Sequence, residues 1–126
     1  MTFPVKRPNK YNARKVQIYG IWFDSDAEGK HYLVLKDRER KGEIQMLAMQ
    51  PRADLVVNGV LVARYTADFT FEENGRRIWE DVKGFKARDF AIRSKLFQAL
   101  HPHIELRVNG TAAKRPKAAK KMEVAA

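Results

Sequence analysis

The stretch ADFTFEENGRRIWEDVKG, residues 67–84, predicts two strands joined by a tight turn. Its first part is rich in Phe and Thr, which favour strands, and Asn74-Gly75 is a common hairpin turn pair. The second part, Ile78 to Lys83, ends at Gly84. We therefore expect an antiparallel strand pair whose side chains alternate between the two faces of a sheet.

A second hairpin is predicted immediately upstream. Residues 55–57 and 61–63 are aliphatic and flank Asn58-Gly59, another strong turn pair. The second arm is expected to continue as one strand through Arg64 to Phe71. Before this hairpin, Ile44 to Met49 alternates apolar and polar residues, which predicts a further strand.

The amino-terminal half predicts a bent strand and then a helix. Val16 to Phe23 is β-branched and aromatic, and Gly20 interrupts it, as expected for a strand or a hairpin. Ser25 followed by Glu28 three residues later is a helix-start pattern. The helix should run to about Lys41 and end at Gly42. Its buried stripe is predicted to contain these residues: Tyr32, Leu35, Leu33 and Val34.

The carboxy-terminal part predicts a second helix and one more strand. Arg88 to Leu100 is amphipathic, and Pro102 stops it. Its core stripe is predicted to be Ile92, Leu96 and Ala99. Ile104 to Val108 is then a short strand. The order of helices and strands predicts an α/β sandwich built around one sheet.

Composition limits the classes of protein that are possible. A chain of 126 residues is about one domain long, and without cysteine it has no disulfides, thiol nucleophiles or cysteine-based zinc sites. No apolar run approaches the roughly 18 residues that a membrane-spanning helix needs. The basic amino-terminal segment has no apolar stretch of the kind found in a secretory signal peptide. We expect a soluble cytoplasmic protein, in the host cytoplasm if a phage encodes it, with no membrane partner.

The net charge of +10 lies almost wholly at the two ends of the chain. Residues 1–15 contain five basic residues and no acidic ones, and residues 109–126 contain five basic residues and one acid. We expect a flexible basic arm at 1–15, a domain at 16–108 and a disordered basic tail at 109–126. Such arms suit a polyanion because neutralised phosphates release counterions, although they would also simply keep a protein soluble.

Strand alternation places a small charged cluster on one face of the predicted sheet. Asp81 and Lys83 point the same way along their strand. If the strands of residues 67–84 pair through Asn74-Gly75, Asp68 can face both of them across the ladder. Two adjacent carboxylates repel unless a proton or a cation lies between them, and Mg²⁺ or Mn²⁺ suits oxygen ligands. A nearby Lys could orient or deprotonate water, which predicts phosphodiester hydrolysis. The alternative is a solvated surface ion pair with no catalytic role.

The same residues resemble a known superfamily. Asp68, then Asp81-Val82-Lys83, after a helix that bears Glu28, is similar to the PD-(D/E)XK nucleases. The chain is most similar to a family of small phage and prophage proteins described as endonuclease-like and of undetermined function. Four segments carry this resemblance: Phe23-Asp24-Ser25 with Glu28, Gln50-Pro51-Arg52, Ala67-Asp68-Phe69 and Glu80-Asp81-Val82-Lys83-Gly84. Ala67 stands where the superfamily often has Pro, and Asp81 stands where Glu is commoner.

This resemblance implies a restriction-endonuclease-like αβββαβ core with a central mixed sheet flanked by helices. It implies Asp68, Asp81 and Glu28 as metal ligands, Lys83 as the residue that handles water, and cleavage that leaves a 5′-phosphate. Glu28 has a second interpretation, because the third residue of a capping box bonds back to the amide of Ser25.

Several polar residues are candidates for contact with nucleic acid. Arg52 could hold a phosphate with both guanidinium nitrogens, although an ordinary turn residue would look the same. The full set is Gln50, Arg52, Lys86, Arg88, Arg93 and Lys95. The three histidines lack the spacing of a zinc site and are predicted to be structural or exposed.

We therefore expect a Mg²⁺- or Mn²⁺-dependent DNA endonuclease. Branched or junction DNA is a plausible substrate by analogy with phage enzymes of this core. The competing interpretations are a non-catalytic DNA-binding or scaffolding protein with the same fold, and an enzyme that acts on RNA. Cutting both strands would favour a homodimer, but the sequence shows no interface.

Overall fold

The computed structural model describes residues 15–82 and 89–119. Two helices and nine strands are present in this part of the chain. In order they are β1 (Val16–Ile18), β2 (Ile21–Phe23), α1 (Asp26–Arg40), β3 (Gln45–Met49), β4 (Arg52–Val57), β5 (Val60–Thr66), β6 (Phe69–Glu73), β7 (Arg76–Asp81), α2 (Phe90–Leu100), β8 (Ile104–Val108) and β9 (Thr111–Ala112). The expected α/β class is confirmed.

Five strands form a mixed central sheet in the order β3-β6-β7-β8-β9. The β6–β7 pair is the antiparallel hairpin expected from residues 67–84, and it pairs Phe69 with Glu80 and Phe71 with Ile78. Strand β8 lies parallel to β7, and α2 makes the crossover between them. The mixed sheet with two helices therefore agrees with the sequence at this coarse level.

The two helices pack on opposite faces of this sheet. On one face Tyr32 and Leu35 of α1 pack with Ile78 of β7. On the other face Phe97 of α2 packs with Trp79, the next residue of β7. Because neighbouring strand residues point to opposite faces, these two clusters are separate hydrophobic cores. The β1–β2 hairpin adds to the α1 core, and the β4–β5 hairpin adds to the α2 core.

Helix α1 begins where the sequence predicts. The Ser25 hydroxyl accepts a hydrogen bond from the Glu28 backbone amide at 3.1 Å, which satisfies one free amide of the first turn. Tyr32 and Leu35 are buried as expected. The prediction is wrong for Leu33 and Val34, which are exposed, because the sheet covers only the narrow stripe that Tyr32 and Leu35 define.

The predicted core stripe of α2 is wrong. Ile92 is 73% exposed and Ala99 is exposed, whereas Ser94, Phe97 and Gln98 are buried. Of the predicted residues only Leu96 packs partly against the core. The helix turns Phe97 toward Trp79, with ring centroids 4.6 Å apart, and this aromatic contact fixes which side faces the sheet.

The expected single strand from residue 61 to residue 71 is also wrong. Strand β5 ends at Thr66 and β6 begins at Phe69 in a different sheet. The backbone changes partner at the break, because the Ala67 amide donates to the Pro51 carbonyl and the Asp68 amide donates to the Glu80 carbonyl. Asp68 therefore lies between two strands and not within one.

The carboxy-terminal tail is shorter than predicted. Residues 109–112, expected to be disordered, instead form a turn and strand β9, which pairs Thr111 with Val108. The predicted arm at 1–15 lies outside the described residues except for Lys15, as do residues 120–126 and the predicted site residues Lys83, Lys86 and Arg88. In the described part of the chain, no helix is long and apolar enough to cross a membrane.

Candidate active site

The break between β5 and β6 holds Asp68 at the end of the central sheet. Its amide donates to the Glu80 carbonyl at 3.1 Å, and its carbonyl accepts from the Gln50 amide at 2.9 Å. Its carboxylate Oδ2 accepts a hydrogen bond from the Val82 amide at 2.7 Å, just beyond the end of β7. Backbone and side chain are thus both held by neighbouring segments, which orients the carboxylate before any ligand arrives.

Glu28 reaches Asp68 from the first turn of α1. A side-chain hydrogen bond links the two carboxyl groups. Burial and then the negative charge of Asp68 raise the pKa of Glu28 to about 7, and Asp24 adds to the effect through its charge. The Glu28 backbone amide donates to the Ser25 hydroxyl, whereas its carboxyl is directed to Asp68.

A pocket of about 270 Å³ opens onto this carboxyl pair. The Gln50 side of the pocket is formed at a residue with φ of +53°, and that left-handed backbone turns the chain from β3 toward Pro51. The other walls come from the β2 strand and from the end of β3. The lining residues are Ile21, Trp22, Phe23, Glu28, Met49, Gln50, Asp68 and Phe69.

Asp81 lies on the other side of the sheet from this pocket. It is 1% exposed, and its Oδ2 accepts a hydrogen bond from the Tyr65 hydroxyl. Burial raises the pKa of Tyr65 well above its usual range, and the charge of Asp81 raises it further. Tyr65 itself packs with Phe97, with ring centroids 4.9 Å apart, so Asp81 is bound within the α2 core.

The three predicted acidic ligands are therefore only partly brought together. Continuing the β6–β7 register from Phe69 and Glu80 places Asp68 opposite Asp81, as the sequence predicts. The break at Ala67 nevertheless directs the Asp68 carboxylate to Val82 and Glu28, whereas the Asp81 carboxylate contacts Tyr65. Within residues 15–82 and 89–119, no group of three or more His, Cys, Asp or Glu side chains is placed to hold a metal ion.

A second pocket, of about 480 Å³, lies on the Asp81 side; its lining includes three arginines and two aspartates, and we call it the basic pocket after the arginines. The Arg64 guanidinium pairs with Asp54 at 3.1 Å. The Arg93 guanidinium pairs with Asp89 at 2.5 Å and also donates to the Arg64 carbonyl at 2.7 Å. The lining residues are Arg52, Arg64, Tyr65, Thr66, Asp81, Asp89, Phe90 and Arg93. Two of the predicted nucleic-acid contacts, Arg52 and Arg93, thus lie beside the buried Asp81.

The remaining predicted contacts are placed differently. Gln50 lines the carboxyl-pair pocket and not the basic one. Lys95 lies on an exposed part of α2, in a groove beside the β8–β9 turn that neither Asp68 nor Asp81 lines. Its predicted contact with nucleic acid would therefore be separate from the carboxylates.

Sequence reasoning missed Tyr65 and Glu80. The sequence pattern placed Tyr65 in a strand but did not indicate a role at the site. The signal that could have identified it is its position opposite Ala53 on the apolar face of a hairpin. Glu80 is 2% exposed and pairs with His31 Nε2, one helical turn after Glu28. Because a buried carboxylate needs a partner, we interpret the contact of His31 with Glu80 as structural.

The fold and the site together describe an α/β protein with a carboxyl pair at one end of a mixed sheet. The profile of the family described as "Protein of unknown function (DUF1064)" matches residues 8–117 of this chain. The match covers most of the sequence, and the chain belongs to that family. No curated protein and no solved structure matches it.

Proposed function

We propose that the protein is a metal-dependent DNA endonuclease with a PD-(D/E)XK-type core, which hydrolyses phosphodiester bonds in the cytoplasm. The observation that carries this proposal is the hydrogen-bonded carboxyl pair of Glu28 and Asp68 at the end of the central sheet. Three residues from separate parts of the sequence, Glu28, Gln50 and Asp68, line one pocket there. The order α1, β3, β6, β7, α2, β8 is compatible with the αβββαβ core, with β4–β5 as an insertion.

The carboxyl pair fits a divalent cation. Two carboxylates this close repel each other, and without a cation one keeps its proton, as the raised pKa of Glu28 indicates. Oxygen ligands of this kind suit Mg²⁺ or Mn²⁺, and the Gln50 amide oxygen belongs to the same pocket. Bound there, such an ion would polarise a phosphodiester and lower the pKa of a coordinated water. Glu28 and Asp68 would hold it, with Asp81 as the third predicted ligand.

Other residues would orient the carboxylate, bind the phosphate backbone and position the attacking water. The Val82 amide fixes one oxygen of Asp68 at 2.7 Å, which leaves the orientation of that carboxylate little freedom. Arg52 of the basic pocket would supply positive charge for the phosphate backbone, since Arg64 and Arg93 are already paired with Asp54 and Asp89. Lys83, which lies outside the described residues, is the predicted group for positioning the attacking water.

A non-catalytic DNA-binding or scaffolding protein is the second candidate. One observation favours it: Asp81 is buried and hydrogen-bonded to Tyr65, and it does not line the pocket of the Glu28–Asp68 pair. In this alternative the basic pocket and the basic chain ends bind DNA, and the carboxyl pair has only a structural role.

The test separates cleavage from binding. Supercoiled plasmid, a four-way DNA junction and a structured RNA are incubated with the protein in Mg²⁺, Mn²⁺ or chelator. We expect metal-dependent cleavage of DNA, most strongly of the junction, which Asp68→Ala and Asp81→Ala abolish while binding by gel shift persists. Asp37→Ala, at a half-buried residue of α1 that pairs with Arg40, is the control and should cleave normally. Binding without cleavage in every metal would reject the enzyme and support the second candidate.

A further inference from the structure

The tip of the β4–β5 hairpin exposes an unusual amount of aliphatic surface. Val60 is 61% exposed and Val62 is 57% exposed. Their neighbours across and along the hairpin, Val56, Val57 and Leu61, are also exposed. We call these five residues the hairpin tip. Contiguous exposed aliphatic patches often mark an interaction surface, whereas single exposed aliphatic residues do not.

Both faces of the hairpin tip are apolar. Val56 pairs with Leu61 and Val57 pairs with Val60, so the two pairs point to opposite faces, while Val62 is the extra residue at a bulge. Nearer the base of the hairpin, Leu55 and Tyr65 are buried in the α2 core. The tip extends beyond that core. A two-stranded ribbon with apolar side chains on both faces gains little stability from itself alone.

The chemistry of the tip limits what can cover it. Residues 55–63 contain no charged side chain, so they offer nothing to a phosphate backbone or to an acidic peptide. At the border of this segment Asp54 and Arg64 pair with each other at 3.1 Å, which makes the rim nearly neutral. Most of the net charge of +10 lies at the two ends of the chain, so the uncharged tip is where two copies can approach with least repulsion.

The backbone of the hairpin also suits a second copy. In the part of the chain that the structure describes, β4 and β5 pair only with each other, so both outer edges lack a neighbouring strand. An antiparallel strand pair has local two-fold symmetry, and an edge can therefore pair with the same edge of another molecule. Closed two-fold contacts of this kind are the commonest way in which soluble chains form dimers.

We propose that the protein forms a two-fold symmetric homodimer in which the hairpin tips of two copies pack against each other. This dimer does not depend on nuclease activity. It would have a consequence for the site, because Arg52 and Tyr65, at the base of the same hairpin, line the basic pocket. Two basic pockets would then be held at a fixed spacing, as cleavage of two strands requires.

The mass of the full chain in solution gives the first test. Sedimentation equilibrium of the wild-type protein at micromolar concentrations should give the mass of two chains. Val62→Lys should give the mass of one chain, because two ammonium groups would meet at the interface. Ile92→Lys, at an aliphatic residue of α2 that is more exposed than Val62, is the control and should stay dimeric. Circular dichroism should show that both variants are folded, since neither side chain is buried.

Cross-linking gives the second test, since the chain has no cysteine of its own. Single cysteines at Val57, Val60, Leu61 and Val62 place the same thiol on both copies near the two-fold axis. Under mild oxidation at least one of them should form a disulfide-linked dimer much faster than Ile92→Cys. A wild-type protein of single-chain mass at every concentration overturns the proposal, as does a dimer that Val62→Lys leaves intact or tip cysteines that link no faster than the control. Loss of cleavage with an intact dimer would instead count against the proposed function alone.

Discussion

The Tyr65 hydroxyl donates a hydrogen bond to Asp81 Oδ2 inside the core between α2 and the sheet. The two residues are 3% and 1% exposed. A carboxylate in such a place loses most of its hydration, so the hydroxyl replaces water as its donor. The contact also ties the last residue of β7 to the base of the β4–β5 hairpin.

Tyr65→Phe should destabilise the protein through this carboxylate. Loss of a hydrogen bond to a buried charged group costs about 1–3 kcal/mol, and the free energy of unfolding from urea titration should fall by that amount. Tyr19→Phe, at a residue that is 77% exposed, is the matched control and should unfold like the wild type. A double-mutant cycle with Asp81→Asn isolates the pair. A coupling energy near zero would show that the hydroxyl does not support Asp81.

The Glu28–Asp68 pair makes stability depend on pH in the absence of metal. The pKa of Glu28 is raised in the folded protein, from an ordinary 4.5 to about 7, chiefly by burial and by Asp68. Between these values the folded state binds more protons than the unfolded state, so its stability falls as the pH rises through this window. In chelator, the melting temperature should therefore decline from about pH 4.5 to about pH 7.

Glu28→Gln should flatten that decline, because an amide holds its protons at every pH in the window. Glu43→Gln, at a glutamate whose side chain is 52% exposed, is the control and should keep the wild-type slope. Thermal melts in a series of buffers from pH 4 to 8 measure the slope; the window is set by the two pKa values of Glu28. Parallel curves for Glu28→Gln and the wild type would contradict a proton shared between Glu28 and Asp68.

Sequence patterns located the hairpin turns and the start of α1 because those features depend on local chemistry. Asn58-Gly59 and Asn74-Gly75 turn with positive φ at both residues, as expected for such pairs. Ser25 caps α1 through a hydrogen bond with a residue only three positions further along the sequence. Signals of this kind need no information about the rest of the fold.

The wrong predictions concern strand ends and helix faces that are determined by contacts between residues far apart in the sequence. Nothing between Arg64 and Phe71 marks the end of a strand, and the break appears because Ala67 and Asp68 bond to Pro51 and Glu80. That break turns Asp68 toward Glu28, a contact that strand alternation does not predict. Likewise, α2 buries Phe97 and exposes Ile92 because the aromatic contact with Trp79 determines which face of the helix packs on the sheet.

A divalent ion should stabilise the protein only where the carboxyl pair can release its proton. At pH 8, above the pKa of about 7 for Glu28, Mn²⁺ or Mg²⁺ should raise the melting temperature, since a ligand that binds the folded state alone stabilises it. At pH 5 the increase should nearly vanish because the ion must compete with the proton.

Replacing one candidate ligand at a time tests where the ion binds. Asp68→Asn should lose the increase at pH 8, whereas Asp54→Asn, at an exposed ion-paired aspartate, should retain it. Chelator should reverse the effect in the wild-type protein. An equal increase in Asp68→Asn and the wild type would place the ion elsewhere, whether or not the protein cleaves DNA.

Gly29 sets how closely the β1–β2 hairpin approaches α1, and with it one wall of the carboxyl-pair pocket. A Cβ at this position would lie 2.7 Å from Val16 Cγ2 and 2.8 Å from Ile18 Cδ1. Alanine normally stabilises a helix interior by about 1 kcal/mol relative to glycine. Here the overlap should reverse that sign, because overpacking costs about 1–3 kcal/mol and the Val16 and Ile18 side chains or the hairpin must shift.

Gly29→Ala should therefore lower the free energy of unfolding in urea titration, and it should weaken any metal-induced stabilisation because Ile21 and Trp22 of the same hairpin line the pocket. Val16→Ala removes the nearer of the two obstructing methyl groups. In the double variant, part of the loss caused by Gly29→Ala should be recovered, so that the two changes together cost less than their sum. If Gly29→Ala is as stable as the wild type, the hairpin yields without strain and Gly29 does not set its distance from the helix.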